Sequence, residues 1–167
     1  MGSEMCIRDR AVTTSQREVT AWDQPLATTG ATGASTLIAQ WRGDRLRFLL
    51  ALTPEIGLRE CVQAHPTVQD TPGPALAFPE IVHRDRLLAA LAADAVPQVS
   101  ALQSDEGGRF RDCVSRYTVA LLPETAEAPE LDATVWLTLE QIEALARTQG
   151  FFTNESRSVL SLVLGLV

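Results

Sequence analysis

Two adjacent carboxylates, Asp105 and Glu106, are followed by Gly107, Gly108 and then Arg109. A glycine-flanked turn can present such side chains to a pocket, because glycine adopts backbone angles closed to other residues. A carboxylate held there can take a proton as a general base; the competing reading is a solvated acidic turn. Glu55 is a further carboxylate candidate, two residues before Gly57. Arg109 and Arg116 can grip phosphate oxygens, since the planar guanidinium matches them with paired N–H bonds. Most arginines elsewhere in the chain read as surface charge. Arg157, beside Asn154, falls near a predicted helix start, where backbone N–H groups also favour anions. Gln63, Gln69 and Gln103 carry neutral amides able to bond hydroxyls or a base edge, or equally a strand backbone. Tyr117 is the only tyrosine; it can donate a proton or sit in a core. Trp22 can stack on a flat ring or cover a sheet, and Gln24 stands two residues further on.

These side chains need elements to position them. Residues 35–41 (STLIAQW) and 46–52 (LRFLLAL) flank Arg42-Gly43-Asp44-Arg45, which reads as a β-hairpin around a polar, glycine-containing turn. A third strand is predicted at 59–63 (RECVQ). Pro66 and the Pro72-Gly73-Pro74 cluster then break regular structure. Pro79–Ala93 carries Ile81, Leu87, Leu88 and Leu91 at helical spacing, with Pro79 and Glu80 suited to a first turn. Residues 111–122 are rich in β-formers and predict a strand; 123–129 form an acidic, proline-bounded loop. Thr138 with Gln141 three residues later predicts a capping box opening an amphipathic helix over 138–148, with Leu139, Ile142 and Leu145 on one stripe. A last helix over 157–166 takes Asn154 or Ser156 as its cap and turns Val159, Leu160, Val163 and Leu164 inward. Strands first, with helices inserted and at the end, predict an α+β fold with a mixed or antiparallel sheet.

A length of 167 residues with 46 % hydrophobic and 21 % charged residues fits one soluble domain with its own core. The net charge of −7 repels a phosphate polymer, so nucleic acid is not an expected partner. All fourteen basic residues are arginine, and the absence of lysine excludes Schiff-base chemistry and a P-loop lysine. Cys6, Cys61 and Cys113 are odd in number and widely spaced, as in a reduced cytoplasm. His65 and His83 stand apart from any spaced carboxylate or thiolate, so no metal is expected. No apolar run approaches the 18 residues a bilayer span needs, and no membrane partner is expected. Residues 1–10 (MGSEMCIRDR) lack the apolar stretch of a signal peptide and read as a non-native, adapter-like segment. Residues 11–34 then form an N-terminal extension and 35–167 a single module.

Five strings carry a resemblance, in order: WDQP at 22–25, ECVQAHPTVQDT at 60–71, LQSDEGGRF at 102–110, VSRYTV at 114–119 and WLTLEQIEALARTQGFFTNESRSVLS at 136–161. Together the chain resembles the NDP-hexose 2,3-dehydratases over nearly all of residues 22–161. That resemblance implies a Nudix-like module and a nucleotide-linked 4-keto-6-deoxyhexose as substrate. It implies elimination of the C2 hydroxyl without cofactor or metal. It also implies roles for Asp105, Glu106, Glu55 and Tyr117 in proton transfer. Trp22, Gln24, Gln63, Gln69, Gln103, Arg109, Arg116, Asn154 and Arg157 would then hold the substrate. His65 falls where the family does not typically place histidine and reads as incidental. The family's E-P-G-N stands here as Glu55-Ile56-Gly57-Leu58, and its V-H as a displaced Val82-His83. Family members usually carry two tandem modules, so the expected partner is a second module or a second copy. A non-catalytic nucleotide-sugar binding module and a bare dimerisation domain are the alternative readings.

Overall fold

The computed structural model describes residues 6–28, 30–59, 61–70, 79–104, 109–128 and 130–164. Strands β3 (Gly33–Arg42) and β4 (Arg45–Pro54) form the expected hairpin, longer at both ends than the apolar runs alone suggest. Arg42 pairs with Arg45, so the loop is only Gly43-Asp44, and Gly43 supplies the positive φ of 62° that the tight reversal requires. The remaining strands are β5 (Val62–His65), β6 (Val68–Asp70), β7 (Val96–Ser104), β8 (Val114–Leu122) and β9 (Thr134–Thr138). The main sheet runs β5-β4-β3-β8-β7, with β6 paired to β3 and β9 to β4. The β3–β8 pair is parallel and the others antiparallel. The fold is thus α+β around a mixed sheet, as predicted.

Alternation along the strands sends successive side chains to opposite faces. One face sets Leu37, Ala39, Phe48, Leu50, Tyr117 and Val119 against α2 (Leu139–Ala146) and α3 (Asn154–Val163) through Ile142, Val159 and Val163. The other sets Ile38, Leu49, Ala51, Ala120 and Leu122 against Leu88 and Leu91 of α1 (Pro79–Ala93). Central strands covered on both sides explain the unbroken apolar runs of β3 and β4.

The helices follow their local signals closely. α1 has the predicted bounds, and α2 opens on a full capping box: the Gln141 amide N–H donates to Thr138 Oγ1 and the Thr138 N–H to Gln141 Oε1. α3 differs. Its cap is Thr153, whose Oγ1 accepts from the Ser156 N–H at 3.1 Å, rather than Asn154 or Ser156. The Ser156 hydroxyl is committed to the Ala64 carbonyl at 2.7 Å. Leu164, predicted to face inward, is 72 % exposed, because α3 ends at Val163.

The strand predicted at 59–63 lies later, at Val62–His65. Leu58 and Cys61 close a turn there (Cys61 N–H to Leu58 O, 3.2 Å) with Cys61 at φ 52°. Strands β6, β7 and β9 go beyond the sequence prediction, as does a two-stranded sheet of β1 (Cys6–Thr13) and β2 (Ala21–Thr28). Residues 6–10, from the segment read as adapter-like, run into β1. This hairpin meets the main body at Ala27. Its N–H donates to the Arg109 carbonyl and its carbonyl accepts from the Arg111 N–H, both at 2.8 Å.

Candidate functional site

α1 covers only part of its sheet face. Towards the end where β8 begins, the register aligns Asp70, Ala34, Arg116 and Leu102 across β6, β3, β8 and β7. The next row on the same face is Val68, Thr36, Thr118 and Ser100. Arg116, Asp70, Ala34 and Ser100 are exposed, and Leu102 is 56 % exposed. The result is a polar shelf: a guanidinium, a carboxylate and three hydroxyls around a small Ala34. Ser100 and Thr118 bond each other through their hydroxyls at 3.0 Å. Arg116 makes no ion pair with any described residue, so its fork is open to an anion.

The shelf ends where Ser104 of β7 pairs with Val114 of β8. Asp105 and Glu106 belong to the connector between these strands and lie outside the described residues. Arg109, on the same connector, is exposed. Arg109 and Arg116 are therefore brought to one end of the sheet, beside the string that carries the two carboxylates.

On the same face, across β6, a cleft of about 210 Å³ opens between β5, β6 and the start of α1, lined by Thr53, His65, Thr67, Gln69, Arg84 and Asp85. His65 Nδ1 is 3.1 Å from Gln69 Oε1. Arg84 is 7 % exposed and donates through Nη1 to the Leu52 carbonyl at 2.6 Å and through Nε and Nη2 to Asp85 Oδ1 at 2.9 and 2.8 Å. Its charge is engaged in fixing the wall of the cleft.

The other candidates lie apart. Gln63 donates to the Gly150 carbonyl at 2.9 Å, Asn154 Oδ1 accepts from Arg157 Nη2, and Glu55 is exposed just after β4. All sit near the β5 edge, four strand spacings or about 19 Å from β7. Beside them is a depression of about 400 Å³ lined by Gly57, Leu58, Arg59, Gly150 and Phe151. Trp22 donates through Nε1 to Gln24 Oε1 at 3.2 Å and carries Arg17 over its ring at 6.0 Å. It stands five residues along β2 from Ala27, about 16 Å from the connector. Gln103 is half-buried opposite Ser115. Tyr117 is 3 % exposed in the core under α3, on the face away from the shelf.

The family model for NDP-hexose 2,3-dehydratase matches residues 3–163. The chain belongs to this family. It is similar to the dTDP-4-dehydro-6-deoxy-alpha-D-glucopyranose 2,3-dehydratase of Saccharopolyspora spinosa, with 28 % identity over 90 % of this chain and 31 % of that protein. The like-named proteins of Streptomyces violaceoruber and Amycolatopsis orientalis are each 29 % identical, over 91 % and 92 % of this chain and 34 % and 32 % of their own lengths. The chain thus spans about a third of the curated relatives it matches. Solved structures similar to it include an Ap4A hydrolase from C. elegans (15 % identity, 81 % of this chain and 98 % of that one, TM-score 0.49). Another is the Nudix hydrolase RenU from M. smegmatis (15 %, 95 % and 97 %, TM-score 0.49).

Within this member of the NDP-hexose 2,3-dehydratase family, several residues gain a place that their spacing does not announce. Asp70, Thr36, Thr118 and Ser100 join Arg116 only because β3 and β8 run parallel and β6 folds back on β3. Trp136, from the WLTL string, lies 4.3 Å beneath the Arg47 guanidinium. Arg47 donates to Gln40 Oε1 at 2.8 Å, and burial, then the nearby Arg42, lower its pKa. Gln40 Nε2 reaches the Pro123 and Ala126 carbonyls at 2.9 and 2.8 Å, which ties the acidic loop to the sheet.

Proposed function

We propose that this chain is one module of an enzyme that eliminates the C2 hydroxyl of an NDP-4-keto-6-deoxyhexose. The observation that carries the reading is the family match across residues 3–163, joined to relatives named for that activity. The chemistry suits a site of carboxylates and arginines. The C3 proton is acidic because the C4 ketone accepts its electrons as an enolate. The enolate then expels the C2 hydroxyl, which takes a proton from a general acid and leaves as water, and tautomerisation gives a 3,4-diketo-2,6-dideoxy sugar. Oxidation state is conserved overall, so no hydride carrier is needed.

In this reading Asp105 or Glu106 takes the C3 proton. Arg116 and Arg109 hold the diphosphate at the open end of the sheet. A positioned base contributes typically about 10²–10⁴-fold. Because the chain spans about a third of its relatives, a second copy or a tandem module completes the assembly, within the cytoplasm.

The test is turnover of dTDP-4-keto-6-deoxyglucose alongside dTDP affinity by calorimetry. Asp105→Asn with Glu106→Gln should abolish dehydration and leave dTDP affinity within about twofold. A wild-type chain that binds dTDP without turnover would favour a binding module, and one that binds no nucleotide would overturn the reading.

A further inference from the structure

His65 Nδ1 has Gln69 Oε1 as its hydrogen-bond partner. An amide oxygen only accepts, so the 3.1 Å contact between Gln69 Oε1 and His65 Nδ1 requires Nδ1–H. In the neutral ring Nε2 is then the acceptor. His65 lines the cleft between β5, β6 and α1 together with Thr53, Gln69 and Asp85. Both Arg84 donors fall on Asp85 Oδ1, which leaves Oδ2 as a second acceptor. The Thr53 hydroxyl donates or accepts. The cleft thus gathers acceptors and hydroxyl partners against a rigid wall, since Arg84 is pinned to the Leu52 carbonyl at 2.6 Å.

The volume of about 210 Å³ is below the roughly 300–1,000 Å³ typical of sites for larger ligands and suits a single six-membered ring. The cleft also adjoins the arginine shelf: Val68 lines it and pairs with Thr36, whose other neighbour is Thr118. Two strand spacings, about 10 Å, separate β6 from β8, a span that suits a diphosphate with a sugar at one end.

We propose that this cleft is the subsite for the hexose ring, with His65 Nε2 and Asp85 accepting from ring hydroxyls and Thr53 completing the set. The proposal rests on the nucleotide-sugar reading above and gives a role to a histidine that the sequence leaves incidental.

The experiment follows the imidazole signals of His65 by NMR in the full 167-residue chain, assigned with a His83→Ala variant, during titration with dTDP and with dTDP-glucose. The latter carries the ring hydroxyls but no ketone, so it cannot eliminate. The expected result is a saturable shift of the His65 signals with dTDP-glucose and none with dTDP. Thr53→Val and His65→Ala should each weaken dTDP-glucose roughly tenfold, the worth of one lost hydrogen bond, with dTDP affinity unchanged. If dTDP-glucose binds and the His65 signals stay fixed, the ring sits elsewhere; this proposal falls while the nucleotide-sugar reading stands. If neither ligand binds, both fall together.

Discussion

Arg47 and Trp136 stack across neighbouring strands, the guanidinium carbon 4.3 Å from the ring centroid, and Gln40 extends that contact into the 123–126 loop. Gln40 is fully buried, so shortening it strands two carbonyls and the Arg47 fork. Gln40→Leu should lower stability by about 2–4 kcal/mol, read as a reduced urea midpoint. A variant unfolding at the wild-type midpoint would show that the loop is held by other contacts.

Arg116 projects from β8 onto the open shelf and contributes little to packing. Arg116→Ala should leave the melting temperature within about 1 °C, while nucleotide-diphosphate affinity drops roughly 10- to 100-fold, as for the loss of a charge-assisted pair. Arg157→Ala, at the opposite edge, should leave that affinity alone. Equal losses at both positions would move the anion site away from the shelf.

Tyr117 lies among Leu37, Val119 and Val159 in the core. Tyr117→Phe should keep turnover within about threefold, and Tyr117→Ala should cost about 3–5 kcal/mol by opening a cavity. A large loss of kcat in the phenylalanine variant, with stability intact, would restore the tyrosine as a proton donor.

Ser156 is fully buried and donates to the Ala64 carbonyl at 2.7 Å, which joins α3 to β5. Ser156→Ala leaves that carbonyl with one partner fewer, and the expected cost is about 1–2 kcal/mol by chemical denaturation. No change would mean that the Thr153 N–H, 3.2 Å from the same oxygen, satisfies it alone.

Glu140 opens α2, and the Thr138 side-chain hydrogen bond, followed by a backbone bond, holds its pKa below the usual glutamate value. A carboxylate with a depressed folded-state pKa stabilises the fold above its unfolded pKa and loses that contribution as pH falls through the folded value. An NMR titration should place its midpoint below the usual glutamate value, and Glu140→Gln should flatten this part of the acid limb. A Glu140 midpoint at or above the usual glutamate value would refute the assignment.

The elements with a local signature were legible. Gly43 between two apolar runs marks the β3–β4 hairpin, Thr138 with Gln141 marks the start of α2, and Pro79 marks the start of α1. β7 was illegible because it is an edge strand, with Ser100, Leu102 and Ser104 exposed and a proline at its irregular start. β9 has five residues and takes its conformation from β4. At the site, Arg109 and Arg116 could be named from residue type and string. The shelf around Arg116 could not, because Asp70, Thr36 and Thr118 become neighbours only through the parallel β3–β8 pairing, which joins positions some eighty residues apart. His65 read as incidental because it falls where the family does not typically place histidine; its contact with Gln69, made across the turn at Pro66 and Thr67, is visible only in the fold.

The two backbone bonds at Ala27 place the splice between hairpin and connector entirely on the second strand of the hairpin. Trimming the chain back to residue 11 would therefore spare the joint itself but strip β2 of its partner from Gln24 to Thr28. The stretch that grips Arg109 and Arg111 would then hang as an unsupported ribbon.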